Sequence, residues 1–423
     1  MSVQDASLPD IGPEHLHTLY QITRTMISSL DFDVVLNNVI NSIMELTRAE
    51  RGVIMDVDQS TGNLHVLVAR GVTGEKLARE DAYSTTIVNQ VVETRQPLLT
   101  NNAMFDSRIQ PGQSIIMRGL RAILCAPMLV HDRLVGVVYV DTAMRSGTFT
   151  EADRDLLMAV AGQAGVAIEN ARLYLVAVEK GRMERELQMA REIQEGLLPH
   201  RMPDTPGFDI AVGWQAAREV AGDFYDVFPL KDGSFGIVIA DVSDKGAPAA
   251  LFMAVARTFI RSHANSGLSP LETLALTNER ILEDAENGMF VTVYHSVFRP
   301  DGTSVNVNAG HNPPLLYRNS TKEVFFLPQG GRALGWFPDN PLREVDIQLE
   351  PGDLIVYYTD GLTDAENRQR DYFGESRLAQ AVVEAGGKTA QAVLDHIVSS
   401  VNIFCDGNAP FDDLTLVVVH FTG

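Results

Sequence analysis

Apolar positions at helical spacing open the chain: Leu16, Leu19, Ile22, Met26 and Leu30 predict one amphipathic helix, and Val35, Val39, Ile43 and Leu46, after Asp31, predict a second. The period then shortens. Residues 52–57 and 64–69 read as the strands of a β-hairpin around the turn-rich QSTGN segment. A second hairpin, residues 122–130 and 134–141 joined by His131, Asp132 and Arg133, carries too much Val, Ile and Leu for a solvated surface. Between the hairpins lie a short helix, residues 86–94, and a loop from about Asn101 to Gly119.

Thr150, with Asp153 in the capping-box position, starts a helix with apolar residues at Leu156, Leu157, Val160, Ala164, Val166 and Ile168. Beyond it, Ile168, Ala171, Leu175 and Val178 take heptad steps, and Met183, Leu187, Ala190 and Leu197 take them in another phase. The charged EKGRMERE between them contains Gly181. This pattern fits a signalling coiled coil with a hinge at the phase break, or a linker helix packed on its own domains. Pro199, Pro203, Pro206 and Gly207 end the helix and mark a seam. Strands are expected after it at residues 208–214, 223–230, 235–242, 290–298, 304–307 and 354–358. Helices are expected at residues 246–263 and 270–285, the latter capped by Ser269 with Pro270 at its first position. Strands, a helical pair and more strands make a layered α+β sandwich.

Length and composition narrow the class. At 423 residues the chain holds two or three folding units, and 45% hydrophobic with 21% charged residues is a globular composition. No apolar run reaches the roughly 20 residues of a membrane helix, and MSVQDASLPD lacks the order of a secretory signal, so a cytoplasmic protein without a membrane partner is expected. Two cysteines, Cys125 and Cys405, build neither a disulfide framework nor a zinc cluster. A net charge of −21 without a basic stripe excludes nucleic acid and suits a divalent cation.

Four acidic clusters stand at the edges of apolar strands: GDFYD at 222–226, ADVSDKG at 240–246, YTDGLTD at 358–364 and FDDLTL at 411–416. Any one alone is ordinary turn chemistry. Aspartates converging from four strand ends would hold hard cations such as Mg²⁺ or Mn²⁺, and two such ions about 3.5–4 Å apart bridge a hydroxide for in-line attack on a phosphoryl group. In GDFYD, strand alternation puts Asp223 and Asp226 on opposite faces, and Gly222 favours Asp223 as the ligand because it permits close backbone approach.

From residue 183 onward, the order of MAREIQEGLLP, AREVAGDFYD, ADVSDKGAPAALFMA, MFVTVYHSVF, NAGHNPPLLY, LEPGDLIVYYTDGLTDAEN and FDDLTLVVV resembles the metal-dependent PPM-type serine/threonine phosphatases, in the bacterial branch of stage II sporulation E and RsbU-type enzymes. The resemblance implies two Mn²⁺ or Mg²⁺ ions held by Asp223, Asp241, Asp360 and Asp412, with the backbone carbonyl of Val242 as a further ligand, and these aspartates as the catalytic set. Asp413 is expected to support its loop, and His311 of GHNPP either to order a turn or to protonate a leaving oxygen. Ala221 replaces a usual glycine of VGGD, and Asp244 the glycine of DVSGKG. The N-terminal half resembles a GAF sensor domain through its opening helices, GVIMDVD, the RAILCAPMLVHDRLVGVVYVDT hairpin and FTEADRDLLMAVAGQAGVAIENARL. Its ligand is unknown: Cys125 is expected in the core rather than on a bilin, and NNAMFDSRI lacks the cyclic-nucleotide pattern.

The resulting expectation is an α+β protein of two domains. Residues 1–13 form a tail, 14–172 a GAF fold with an antiparallel sheet and flanking helices, 173–203 a helical coiled-coil linker, and 204–423 an α-β-β-α PPM phosphatase sandwich. Its implied activity is dephosphorylation of a phosphorylated STAS-type anti-sigma factor antagonist under sensor control, in a homodimer formed through the GAF domain and linker helix. Other phosphatase chemistries fit poorly. VIMDVDQS has the two aspartates of a haloacid-dehalogenase-like site without a matching lysine and acidic loop, and a hairpin turn accounts for them. A calcium loop starting at Asp56 would need glycine at Thr61 and an acidic residue at Leu67. A cysteine phosphatase would need arginine where His131 follows Cys125. A noncatalytic signalling adaptor is opposed by the presence of all four aspartates.

Overall fold

The computed structural model describes residues 31–58, 61–71, 83–103, 106, 122–143, 149–199, 201–284, 288–408 and 412–423. The helix expected from Leu16 to Leu30, the first two residues of QSTGN and most of the 101–119 loop lie outside the described residues. By contact density the chain divides into two compact units, Met1–Gly181 and Arg182–Gly423.

In the first unit, α1 (Phe32–Thr47) starts where the Asp31 carboxylate accepts hydrogen bonds from the N–H groups of Asp33 and Val34 at 3.0 and 3.2 Å. It buries Val35, Leu36, Val39, Ile40 and Ile43. The strands β1 (Arg51–Val57), β2 (Leu64–Arg70), β3 (Leu98–Thr100), β4 (Ala122–Val130) and β5 (Arg133–Thr142) form one antiparallel sheet in the order β2-β1-β5-β4-β3, with α2 (Thr85–Thr94) between β2 and β3 in the chain. Almost every residue of β4 and β5 is buried because side chains pack on both faces of the sheet. The hairpin between them turns on two residues, His131 and Asp132, both left-handed at φ 47° and 64°, and Arg133 already belongs to β5. Cys125 sits mid-strand in this core, and burial pushes its thiol far up.

One helix, α3 (Glu151–Leu197), carries the chain from the first unit to the second. Its capping box is reciprocal: Asp153 Oδ2 accepts from the Thr150 N–H at 2.8 Å, and Thr150 Oγ1 accepts from the Asp153 N–H at 3.2 Å. The helix runs unbroken through Gly181, so the expected hinge position is ordinary helical backbone.

The second unit contains two five-stranded antiparallel sheets. One has the order β13-β10-β9-β8-β7, from β7 (Phe224–Pro229), β8 (Phe235–Val242), β9 (Val291–Phe298), β10 (Thr303–Ala309) and β13 (Glu344–Gln348). The other has the order β12-β11-β14-β15-β6, from β6 (Phe208–Gln215), β11 (Leu315–Arg318), β12 (Glu323–Phe326), β14 (Leu354–Tyr358) and β15 (Leu414–Phe421). Their inner faces share a core in which Phe208 of β6 meets Phe235 of β8, Phe298 of β9 and Phe421 of β15 at ring-centroid distances of 5.0, 5.5 and 4.8 Å. Full burial of each ring contributes roughly 2–3 kcal/mol.

Helices α4 (Ala247–Asn265) and α5 (Pro270–Asp284) pack on the first sheet, while α7 (Gly374–Ala385) and α8 (Ala390–Cys405) pack on the second. A short helix α6 (Asp360–Thr363) follows β14. The result is the expected α-β-β-α sandwich. Among the described residues, no helix is long and apolar enough to cross a membrane.

Candidate metal centre

Strand pairing alone brings the four predicted aspartates to strand ends in adjacent pairs. Phe224 lies opposite Ala240 in the β7–β8 ladder, so Asp223, just before β7, stands beside Asp241 near the end of β8. Tyr358 lies opposite Leu416 in the β14–β15 ladder, so Asp360 and Asp412 leave the second sheet from the same edge. The two pairs meet. Asp223 is only 2% exposed, and its Oδ2 accepts a 2.9 Å hydrogen bond from Thr415 Oγ1 on β15, which crosses from one sheet to the other.

Electrostatics show how closely the carboxylates crowd. Burial first, and then the charge of Asp241, raises the Asp223 carboxyl well above the usual range. Asp241 is raised by burial and then by Asp360, with smaller contributions from Asp412 and Asp413. Asp360 is raised by burial and then by Asp412 and Asp364, and lowered by Lys245. Lys245 Nζ lies 2.7 Å from Asp412 Oδ2, both side chains being about one-third exposed. Among the described residues, no three His, Cys, Asp or Glu side chains form a ready-made metal cage, and Asp412 is paired with the Lys245 ammonium. Buried oxygens that repel one another, with neither histidine nor thiol in the set, suit a hard divalent cation.

The supporting residues explain why the loops hold this shape. Asp413 uses both oxygens on the Ala217–Asp223 loop: Oδ1 accepts from the Ala217 N–H and Oδ2 from the Gly222 N–H, each at 2.8 Å. Asp223 O accepts from Trp214 Nε1 at 3.1 Å. Gly222 lies so close to β8 that a Cβ there would stand 3.1 Å from the Val242 carbonyl oxygen, which keeps that carbonyl beside the Asp223 loop. Ala221 is buried with an ordinary negative φ, so the backbone does not need the glycine that the resemblance suggested. Asp244 is different: it holds φ 79°, a conformation natural to glycine, and its exposed carboxylate accepts from the Lys245 N–H.

Two other sequence candidates lie elsewhere in the fold. Asp226 is 1% exposed and bonded to Arg257 at 3.0 Å and Arg261 at 3.0 Å on α4, so it ties sheet to helix. His311 is 4% exposed, with Nδ1 at 2.9 Å from Thr292 Oγ1, and Thr292 Oγ1 is in turn 3.3 Å from the Asp241 carbonyl oxygen. Burial lowers the His311 pKa to about 3, which favours the neutral ring at pH 7, and its hydrogen bonds tie it to the loop. Asn308 completes that loop, accepting from the His311 N–H at 2.8 Å and donating to the His311 carbonyl at 3.0 Å.

Reasoning from sequence missed Thr415, Lys245, Trp214 and Gln194, which contact the aspartates or their loops. Thr415 was detectable in principle, because it lies two residues after Asp413 and therefore on the same strand face.

Comparison with known proteins agrees with this architecture. The family model for Stage II sporulation protein E (SpoIIE) matches residues 231–422, and the model for the GAF domain matches residues 29–169. Protein IcfG of Synechocystis sp. is 31% identical over 300 residues, covering 64% of this chain and 47% of that protein. Phosphoserine phosphatase RsbU of Bacillus subtilis is 28% identical over 239 residues, covering 56% of this chain and 70% of RsbU. The chain thus spans about half the length of IcfG. The SiaA-PP2C domain of Pseudomonas aeruginosa superposes with a TM-score of 0.52 at 21% identity, over 58% of this chain and 99% of that domain, which shows a shared fold.

Proposed function

The chain pairs a GAF domain with a domain of the SpoIIE family, and from that premise we propose that it is a metal-dependent protein serine/threonine phosphatase controlled by its sensor half. The observation that carries this reading is the meeting of Asp223, Asp241, Asp360 and Asp412 from two sheets, with burial and mutual charge leaving oxygens in need of cations. Those carboxylates and the Val242 carbonyl would hold two Mn²⁺ or Mg²⁺ ions. Bound there, the ions supply a water acidified enough to attack phosphorus, together with charge neutralisation at the phosphoryl oxygens. The chain's own contribution is placement. Thr415 orients Asp223, Asp413 fixes the loop that carries it, and the His311–Thr292 pair steadies the Asp241 backbone.

The proposed substrate is the phosphoserine or phosphothreonine of a STAS-type antagonist protein, a partner class implied by the likeness to RsbU-type proteins. The proposed signal path is α3, whose heptad steps would also pair two copies of the chain as a coiled coil. Incubation of the full chain with a phosphorylated STAS-type protein and Mn²⁺ should release inorganic phosphate, and EDTA should stop it. Release undiminished in EDTA, or in Asp360→Asn, would sink the reading.

A further inference from the structure

Trp336 and Phe337, adjacent in the segment between β12 and β13, are 56% and 39% exposed, and they belong to a ladder of rings. Phe290, the residue before β9, stacks on Trp336 with centroids 4.4 Å apart and planes 11° apart. Trp336 stacks in turn on Phe337 at 5.5 Å, and the Arg332 guanidinium lies 4.7 Å from the centre of the Phe337 ring. The backbone beneath the rings is clamped. Asn278 on α5, 2% exposed, accepts from the Gly335 N–H at 2.8 Å and donates to the Phe337 carbonyl at 3.0 Å. Asn340 does the same at Arg332, accepting from its N–H at 2.8 Å and donating to its carbonyl at 2.6 Å. Leu334 exchanges both backbone hydrogen bonds with Val291, at 3.0 and 2.8 Å. Large rings held toward solvent on a fixed backbone lose little freedom when a partner covers them.

Resting on the phosphatase reading of the metal centre, we infer that this ladder is the docking surface for the phosphoprotein substrate, which it grips beside the phosphorylated residue. Location decides the occupant. The Ser243 N–H donates to the Phe290 carbonyl, and the Phe290 N–H donates to Ser243 Oγ, each at 2.9 Å. Ser243 is two residues beyond Asp241, about 7 Å along an extended chain. In the β8–β9 ladder Asp241 pairs with Thr292 and Val242 with Val291, so the rings rise from the same strand ends that carry Asp241. A protein with its phosphoryl group at the metal centre covers about 800 Å² of this face, a disc of about 16 Å radius, which takes in Phe290 and Trp336. A chromogenic ester, one ring and a phosphoryl group, is too short to span both the metal centre and Trp336. Aromatic rings and Arg concentrate binding energy at protein interfaces. The matching partner face is an exposed aliphatic or aromatic side chain, with a carboxylate beside it for Arg332, next to the phosphorylated serine or threonine.

The test compares the full chain with its Trp336→Ala and Trp336→Phe variants, on a phosphorylated STAS-type protein and on a chromogenic phosphate ester with Mn²⁺. Trp336→Ala should lower kcat/KM for the phosphoprotein about tenfold or more relative to the ester, chiefly through KM, and Trp336→Phe should recover most of the loss. If Trp336→Ala slows both substrates equally, or neither, the ring is only a cover for Phe290 and the inference falls while the phosphatase reading stands. A second measurement needs neither a variant nor turnover. The chain has two tryptophans; Trp214 is half-buried, so emission open to acrylamide quenching comes chiefly from Trp336. In EDTA, a tryptophan-free phosphorylated STAS-type protein should shield that emission as its concentration rises. Quenching unchanged at every concentration would overturn the inference. If wild type releases no phosphate from either substrate, the phosphatase reading fails by itself, and the quenching alone decides whether a protein partner covers Trp336.

Discussion

Gly361 gives the sharpest mechanical test of how the two halves of the aspartate cluster are joined. It follows Asp360, and an ideal Cβ at this position would lie 2.0 Å from the Asp413 carbonyl oxygen, 2.9 Å from the Asp413 carbonyl carbon and 3.2 Å from the Asp412 carbonyl carbon. All three are backbone atoms that no rotamer can withdraw. In Gly361→Ala, the α6 and β15 segments must separate by more than about 1 Å before the contact ceases to be repulsive. Overpacking of this kind costs about 1–3 kcal/mol. Asp413 cannot move without straining its 2.8 Å bonds to the Ala217 and Gly222 N–H groups, each worth about 1.5–3 kcal/mol as a bond to a charged group. A total near 3 kcal/mol lowers the melting transition of the C-terminal unit by roughly 6–12 °C. Because the displaced atoms belong to the residues carrying Asp412 and facing Asp223, Mn²⁺ affinity should fall about 10–100-fold as well. Calorimetric melting and Mn²⁺ titration of the variant measure both effects. A melting point and an affinity equal to wild type would refute the close approach on which this reasoning depends.

Other consequences separate structural from ligand carboxylates. Asp226→Asn leaves Arg257, 9% exposed, without its counter-charge and should destabilise the C-terminal unit by about 3–5 kcal/mol in chemical denaturation, while the folded fraction keeps its Mn²⁺ affinity. Asp244→Gly relieves a side chain held at φ 79° and should stabilise by up to about 1 kcal/mol, read as a raised melting temperature; a lowered one would contradict the conformational argument. His295 is fully buried, its Nδ1 is 3.0 Å from the Ile237 carbonyl, and burial lowers its pKa from 6.5 to about 4. The unfolded chain therefore binds the extra proton first, so stability is lost as pH falls from about 6.5 to about 4, by about 3 kcal/mol from this residue. In His295→Gln the drop in unfolding free energy between pH 7 and pH 4.5 should shrink by about 2–3 kcal/mol.

How much of this was legible in the residues depended on how local the determinant was. The helix from Phe32, the β4–β5 hairpin and the capping box at Thr150 follow from nearest-neighbour pattern, and the fold shows them within a residue or two. Strands β11, β12 and β13 were not predicted; β12 and β13 stand at sheet edges with mostly exposed residues, so they lack the apolar pattern that marks a buried strand. The helices α7 and α8 were not predicted, although Leu378, Ala381, Val382 and Ala385 form an apolar stripe on α7. At the site, alternation correctly separated Asp223 from Asp226, but it could not show that Asp226 meets two arginines on α4, a contact across about thirty residues of chain. Gln194 was hidden for a similar reason: in a search for apolar heptads, the buried position on the last turns of α3 is polar.

The central claim is that the four aspartates form one divalent-cation site that makes the chain a phosphatase. Its most direct test is Mn²⁺ titration of the metal-stripped full chain, followed by both calorimetry and hydrolysis of a chromogenic phosphate ester, with Asp360→Asn alongside. The account predicts two Mn²⁺ per chain in wild type, hydrolysis that rises with their binding, and loss of both bound metal and hydrolysis in the variant. Hydrolysis independent of added Mn²⁺, or an Asp360→Asn variant that binds and turns over as wild type does, would contradict it.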